Sequence, residues 1–135
     1  LTAAFSSAQY LGSFYISNNC PETVYVWSTA DTIGPMQTLK TGQHFIEYAH
    51  RNPQTGTGIT VFISKDPDGL TNGSPLLLLA YSVDPTEQDN ARIWYELDTL
   101  RGSPFEGQKV WLGGDACPEI RWEDGREPGE QVVKN

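Results

Sequence analysis

Apolar and polar residues alternate with a period of two along most of this chain. Leu11–Ser17, Thr23–Ser28, His44–His50, Thr57–Lys65, Leu76–Val83, Arg92–Asp98 and Lys109–Leu112 each read as a strand. Turn-forming clusters separate them: Ile33-Gly34-Pro35, Lys40-Thr41-Gly42, Asn52-Pro53-Gln54-Thr55-Gly56, Asp66-Pro67-Asp68-Gly69 and Val83-Asp84-Pro85. No segment keeps a helical period for three turns. Short strands at this spacing, with no helices between them, predict an all-β chain folded as an antiparallel sandwich or barrel.

The same alternation sorts each strand into two faces. In Arg92–Asp98, Ile93, Tyr95 and Leu97 form a core set, and Arg92, Trp94, Glu96 and Asp98 point the other way. An indole among carboxylates and a guanidinium is unusual on a plain solvent face. In Thr57–Lys65, Ile59, Val61 and Ile63 are the core set, which leaves Phe62 outward. In Thr23–Ser28, Val24 and Val26 fit a core, which leaves Tyr25 and Trp27 outward. Leu76–Val83 is apolar on both faces and predicts a central strand covered on both sides.

Composition narrows the function classes. The 135 residues suit one domain. Seventeen acidic residues against nine Lys and Arg give a net charge of -8, and the basic residues are scattered singly. That field disfavours nucleic acid and anionic lipid as partners. No apolar run approaches a membrane-spanning length; the longest, Pro75 to Tyr81, suits a buried strand. The opening LTAAFSSAQ reads as a mature end left by signal-peptide removal, although a trimmed chain would look the same. Residues 1–9 are expected to be a flexible segment, 10–122 the folded domain, and 123–135 a polar C-terminal tail.

The stretch NNCPETVYVW, Asn18 to Trp27, places a cysteine at the entrance of a strand. Cys20 and Cys117 are the only cysteines, and each precedes a proline. A bond between them would close a loop of about 100 residues, worth roughly 4–5 kcal/mol in the chain-entropy picture. The expectation is a Cys20–Cys117 disulfide in an oxidising compartment; the alternative is two free thiols in a cytosolic protein. Asn72-Gly73-Ser74 is an N-glycosylation sequon in a turn, with Pro75 after it to lower its occupancy.

These segments together resemble the thaumatin-like proteins. Asn18 to Trp27 is similar to their first hairpin, with its NNCPxTVW-type signature. Leu39-Lys40-Thr41-Gly42, Thr57 to Phe62, Leu78 to Val83 and Ile93 to Gly102 follow in the family's order. The short length, few cysteines, Asn72-Gly73-Ser74-Pro75 and Trp94-Tyr95-Glu96-Leu97-Asp98 resemble the small fungal branch named for a yeast-phase-specific protein. The resemblance implies a secreted β-sandwich from a fungus, placed extracellularly or in the cell wall.

It also implies a place to look for chemistry. Thaumatin-like proteins commonly have a cleft with an Arg, a Glu and two or more Asp. On this chain the Arg falls on Ser64 and the Glu on Ala80; Asp66 matches an acidic position and Glu96 replaces an Asp. Glycoside hydrolysis needs two carboxyls flanking the bond, so the missing half of the set argues against it, and no catalytic residue is assigned. Weak β-1,3-glucan hydrolysis stays an alternative. Binding asks less: an aromatic platform and a few polar groups. Asp66, Asp68, Arg92, Trp94, Glu96 and Asp98 are the glycan-binding candidates. A third reading is an effector-like module that binds a secreted or host protein through Tyr25, Trp27 and Phe62, if these cluster. His44, Glu47 and His50 lie close in sequence, but on a strand His44 and His50 share a face about 20 Å apart and Glu47 points opposite, so no metal site is assigned. Asp66 to Gly69 reads as a turn and not as a calcium loop. No nucleophile elbow or phosphate loop is present, and no cofactor is expected. The whole reading is a secreted, monomeric, non-enzymatic protein whose partner is cell-wall polysaccharide or a protein at the host–fungus surface.

Overall fold

A computed structural model describes residues 1–6, 13–48, 50, 58–83, 93–114, 117–126 and 132–134. Every regular element among them is a strand: β1 (Thr2–Ser6), β2 (Ser13–Ser17), β3 (Val24–Thr29), β4 (Gln37–Leu39), β5 (His44–Tyr48), β6 (Ile59–Ser64), β7 (Leu76–Val83), β8 (Ile93–Leu100), β9 (Val110–Gly114), β10 (Cys117–Trp122) and β11 (Val132–Lys134). They form two sheets, one five-stranded in the order β10-β9-β1-β2-β5 and one six-stranded in the order β11-β8-β7-β6-β3-β4. The pairs are antiparallel except β1 with β9, which run parallel, so the five-stranded sheet is mixed. The expected N-terminal segment and C-terminal tail contribute β1 and β11 to the sheets.

The alternation of the sequence becomes the packing. Val24, Val26, Ile59, Val61, Ile63, Leu77, Leu79, Tyr81, Ile93, Tyr95 and Leu97 project from the six-stranded sheet into one core. Phe14, Ile16, Val110, Leu112, Ile120 and Trp122 meet them from the other sheet. Burying a side chain of this size contributes about 1.5–3 kcal/mol, so the shared core holds the two layers together.

The Asn-Asn-Cys-Pro stretch turns out to be a polar hub. Asn18 is fully buried. Its Nδ2 donates to the carbonyls of Glu22 and Leu39, both at 2.8 Å, and its Oδ1 accepts from the Cys20 amide at 2.9 Å. Its backbone closes on Gln43 and Gly42. A buried amide is tolerated only when its donors and acceptors are met, and these bonds join the end of β2, the entry to β3, the end of β4 and the turn before β5.

One expectation needs correcting here. β7 is central, but its outer face is not fully covered: Leu78, Ala80 and Ser82 remain half-buried. Only its Leu76 end is closed over. The expected disulfide is not shown: Cys20 stands as a free, buried thiol, and the Cys117 side chain lies outside the described ones. Its Sγ lies 3.4 Å from the Leu1 nitrogen. Cys117 pairs in register with Gly114, which pairs with Phe5. Phe5 is four residues along β1 from Leu1, about 13 Å, with two further ladder spacings across the sheet. Bridged cysteines need Cα atoms within about 7 Å, so this register holds the two apart.

Candidate functional site

The outer face of the six-stranded sheet is read from its register. Trp94 lies opposite Ser82, Glu96 opposite Ala80 and Asp98 opposite Leu78. Ala80 lies opposite Thr60 and Leu78 opposite Phe62. Phe62 in turn faces Trp27, and Ser64 faces Tyr25. These residues alternate with the core set, so they share the face turned away from the other sheet. The three outward aromatics of the sequence reading, Tyr25, Trp27 and Phe62, are therefore neighbours. Trp27 is only 6% exposed, however, and does not offer its ring to a partner.

The cleft sits at one end of this face. It is shallow, with a volume of about 480 Å³. Gly58, Thr60, Ala80 and Ser82 make the floor, with Trp94 and Glu96 on the β8 side. The floor exists because its side chains are small. A Cβ on Gly58 would come within 2.7 Å of the Tyr81 carbonyl oxygen, so the backbone there admits only glycine without a shift. Trp94 is 39% exposed beside this floor. Glu96 is half-buried. An indole ring next to a carboxylate, over a flat floor of small residues, can stack on an apolar ring face and accept hydrogen bonds at its edge.

The structure divides the predicted set. Trp94 and Glu96 line the cleft. Asp98 follows on the same face and is exposed, its Oδ1 accepting from the Thr99 amide at 2.7 Å. Arg92 lies outside the described residues. Asp66 and Asp68 are not in the cleft. They belong to the turn after β6, and Ser64 is level with Leu76 and Leu100 at the other end of the strands from Trp94. Four residues along β8 separate the Glu96 and Leu100 rows, about 13 Å.

Asp66 is occupied within its own loop. Its carboxylate accepts from the Asp68 amide at 2.8 Å, from Asn72 Nδ2 at 2.8 Å and from Ser74 Oγ at 3.2 Å. The Asp68 amide bond, then the Asn72 bond, hold its carboxyl below the usual range. Ser64 is fully buried and caps the same turn, its Oγ accepting from the Asp66 amide at 2.9 Å. Asn72 is exposed, with Ser74 Oγ and the Ser74 amide both donating to its Oδ1. Arg101 closes the loop from β8, donating to the carbonyls of Ser74 and Gly69 from a left-handed backbone conformation, φ 61°.

A second polar cluster joins the two sheets. Glu47 points inward from β5, and its Oε2 accepts from the Tyr81 hydroxyl at 2.6 Å. His50 Nδ1 lies 3.3 Å from the same hydroxyl and 2.8 Å from the Tyr48 carbonyl. His44 instead stacks on Tyr15 on the outside of the sheet, with ring centroids 4.6 Å apart. The expectation that the two histidines share a face is corrected: β5 ends at Tyr48, and beyond it alternation no longer governs where His50 points. Among the described residues no group of three or more His, Cys, Asp or Glu side chains is placed to hold a metal ion. No helix among the described residues is long and apolar enough to cross a membrane.

Comparison with known proteins follows the same lines. All of residues 1–135 match the family described as Bys1, the Blastomyces yeast-phase-specific protein. The chain belongs to the Bys1 family. Its relatives include the antigenic thaumatin-like protein of Arthroderma benhamiae, 30% identical over 118 residues, which are 85% of this chain and 55% of that protein. Another is the secreted thaumatin-like protein calA of Emericella nidulans, 40% identical over 113 residues, which are 81% of this chain and 61% of that protein. The chain thus spans little more than half the length of these relatives. Among solved structures it resembles the protein elicitor MoHrip2 of Magnaporthe oryzae, with a TM-score of 0.69 and 26% identity, covering 100% of this chain and 91% of that one. This Bys1-family protein is thaumatin-like and secreted; both of these relatives are named thaumatin-like, and calA is named as secreted.

Proposed function

We propose that this Bys1-family protein binds cell-wall polysaccharide, of the β-1,3-glucan kind, in the cleft beside Trp94, without cleaving it. The observation that carries this reading is the pairing of a part-exposed indole with the Glu96 carboxylate over a floor of Gly58, Thr60, Ala80 and Ser82. The geometry also favours binding over hydrolysis. Of the two outward carboxylates of β8, Glu96 lines the cleft and Asp98 does not. Hydrolysis asks for carboxyls on either side of the bond. Asp66 is spent on its own turn, and Asp68 belongs to the same turn.

The test is capture of pure protein on insoluble β-1,3-glucan, chitin and cellulose, with released sugar assayed in the same tubes. Depletion without release, lost in Trp94→Ala, is the expected result. Release of sugar would make the protein a weak glucanase. Absence of both would end the glycan reading.

A second reading rests on the likeness to an elicitor: action at the host–fungus surface through a protein partner. It gains weight if plant tissue responds equally to the parent and to Trp94→Ala. The Asn72 side chain stands on an exposed loop within its sequon, and a glycan attached there would leave the Trp94 end of the sheet open. A mass loss on treatment with an N-glycosidase, absent in Asn72→Gln, is the expected outcome for secreted protein.

A further inference from the structure

The outer face of the five-stranded sheet carries a feature that the cleft does not use. β2 and β5 pair so that Tyr15 lies opposite Ile46 and Ser17 opposite His44, with Ser13 opposite Tyr48. Phe14 and Ile16 are fully buried, so Tyr15, His44, Ile46 and Tyr48 point away from the core. Tyr48 is 80% exposed, Ile46 53% and Tyr15 37%. The Tyr15 and His44 rings are stacked at an interplanar angle of 23°. From His44 to Tyr48 the strip runs about 13 Å along an edge strand.

The strip holds no carboxylate, lysine or arginine. The acidic residue of β5, Glu47, is turned inward to Tyr81. On a chain of net charge -8, a run of exposed rings with no carboxylate among them marks a contact surface. Its charge narrows the occupant. Two copies of so acidic a chain repel one another as they approach. A neutral surface suffers no such repulsion. The chemistry narrows it further. Tyrosine and histidine present flat faces with polar edges, which match sugar rings and their hydroxyls. The rings lie along a sheet face, which suits a broad ligand surface and not a single threaded chain.

We infer that Tyr15, His44, Ile46 and Tyr48 form a second contact face that lies flat on insoluble, uncharged polysaccharide, while the Trp94 cleft takes one chain. This rests on the glycan-binding reading of the cleft. The two faces are the opposite outer surfaces of the sandwich, so one molecule can engage a packed surface and a loose chain at once. Such divalent contact raises retention on a solid without any tighter single site.

The test compares the parent, Tyr15→Ala/Tyr48→Ala and Trp94→Ala in two assays. One is the adsorption isotherm on insoluble β-1,3-glucan. The other is calorimetric titration with a soluble β-1,3-gluco-oligosaccharide. The double variant should adsorb about tenfold more weakly and keep its oligosaccharide Kd within about twofold. A Tyr48→Ser variant, changed only at the most exposed ring, should adsorb more weakly than the parent and melt at the parent's temperature. Parental adsorption by the double variant overturns the inference while leaving the cleft intact. So does a parent that sediments as a dimer and a variant that sediments as a monomer, which would give the strip to a second copy. A parent that binds neither solid nor oligosaccharide overturns both readings.

Discussion

Replacing Tyr81 by Phe removes one hydroxyl that ties the two sheets together. The ring stays where it is, stacked on Phe14 with centroids 4.3 Å apart. What leaves is the hydroxyl that donates to Glu47 at 2.6 Å. A hydrogen bond to a charged acceptor contributes about 1.5–3 kcal/mol. Glu47 is half-buried and partly screened, so the lower part of that range applies, about 1.5–2 kcal/mol. Unfolding entropy of about 2.1 cal/mol/K per residue gives about 0.28 kcal/mol/K for this chain, and hence a fall in Tm of about 5–7 °C. The pH dependence supplies an independent check. Burial pushes the Tyr81 phenol well above its usual value, with the Glu47 bond and charge adding to it and the His50 contact opposing. A raised pKa in the folded state means that the stabilisation is complete below about pH 10 and lost as the pH rises beyond it. The gap between parent and Tyr81→Phe should therefore be full at pH 7 and shrink through pH 10 to 11. Thermal melts by circular dichroism at these pH values measure it. Adding Glu47→Gln should cost less in the Tyr81→Phe background than in the parent. A variant melting within about 1 °C of the parent at pH 7, or a gap that ignores pH, would refute the reasoning.

Other outcomes follow from the site and the turns. Ala80→Trp should fill the cleft from its floor, reduce glucan capture by about tenfold or more and leave Tm nearly unchanged, because Ala80 is on the outer face; undiminished capture would place the ligand elsewhere. Gly125 has φ +76°, and a Cβ there would collide with the Phe105 carbonyl; Gly125→Ala should cost more than about 2 kcal/mol by urea unfolding. Thiol titration should find Cys20 unreactive in native protein and two thiols in denatured, unreduced protein. A bond found instead would mean that β9 and β10 pair in another register.

Much of the architecture is legible in the alternation of side chains. Ile93, Tyr95 and Leu97 declare the core face of β8, and Trp94 stands out on the other because indoles are rarely left among charges. The short strands are harder to read. β4 has three residues, too few to show a period. β10 hides its buried Ile120 and Trp122 behind a proline and between charges. The cleft needed more than any one strand could tell. Its floor brings Gly58 and Thr60 together with Ala80 and Ser82, a matter of register between strands, and single small residues give no signal alone. The same gap misplaced Asp66 and Asp68. Their composition suits a sugar site, but sequence does not say at which end of a sheet a turn emerges. A disulfide between Cys20 and Cys117 is not legible in the sequence for a related reason: two cysteines near opposite chain ends still need adjacent register.

The two sheets also differ in where along the chain their strands come from. β6, β7 and β8 follow one another, and each pairs with the next. The five-stranded sheet instead joins β1, β2 and β5 to β9 and β10, with Thr2 opposite Trp111. Loop closure over such a separation is slow compared with pairing neighbours. Folding should therefore have two tempos, with the six-stranded layer forming early and serving as the template on which the other closes. During that interval the inner face of the first layer stands uncovered. Amide exchange in the native protein should rank the layers in the same order, with β7 the last to open.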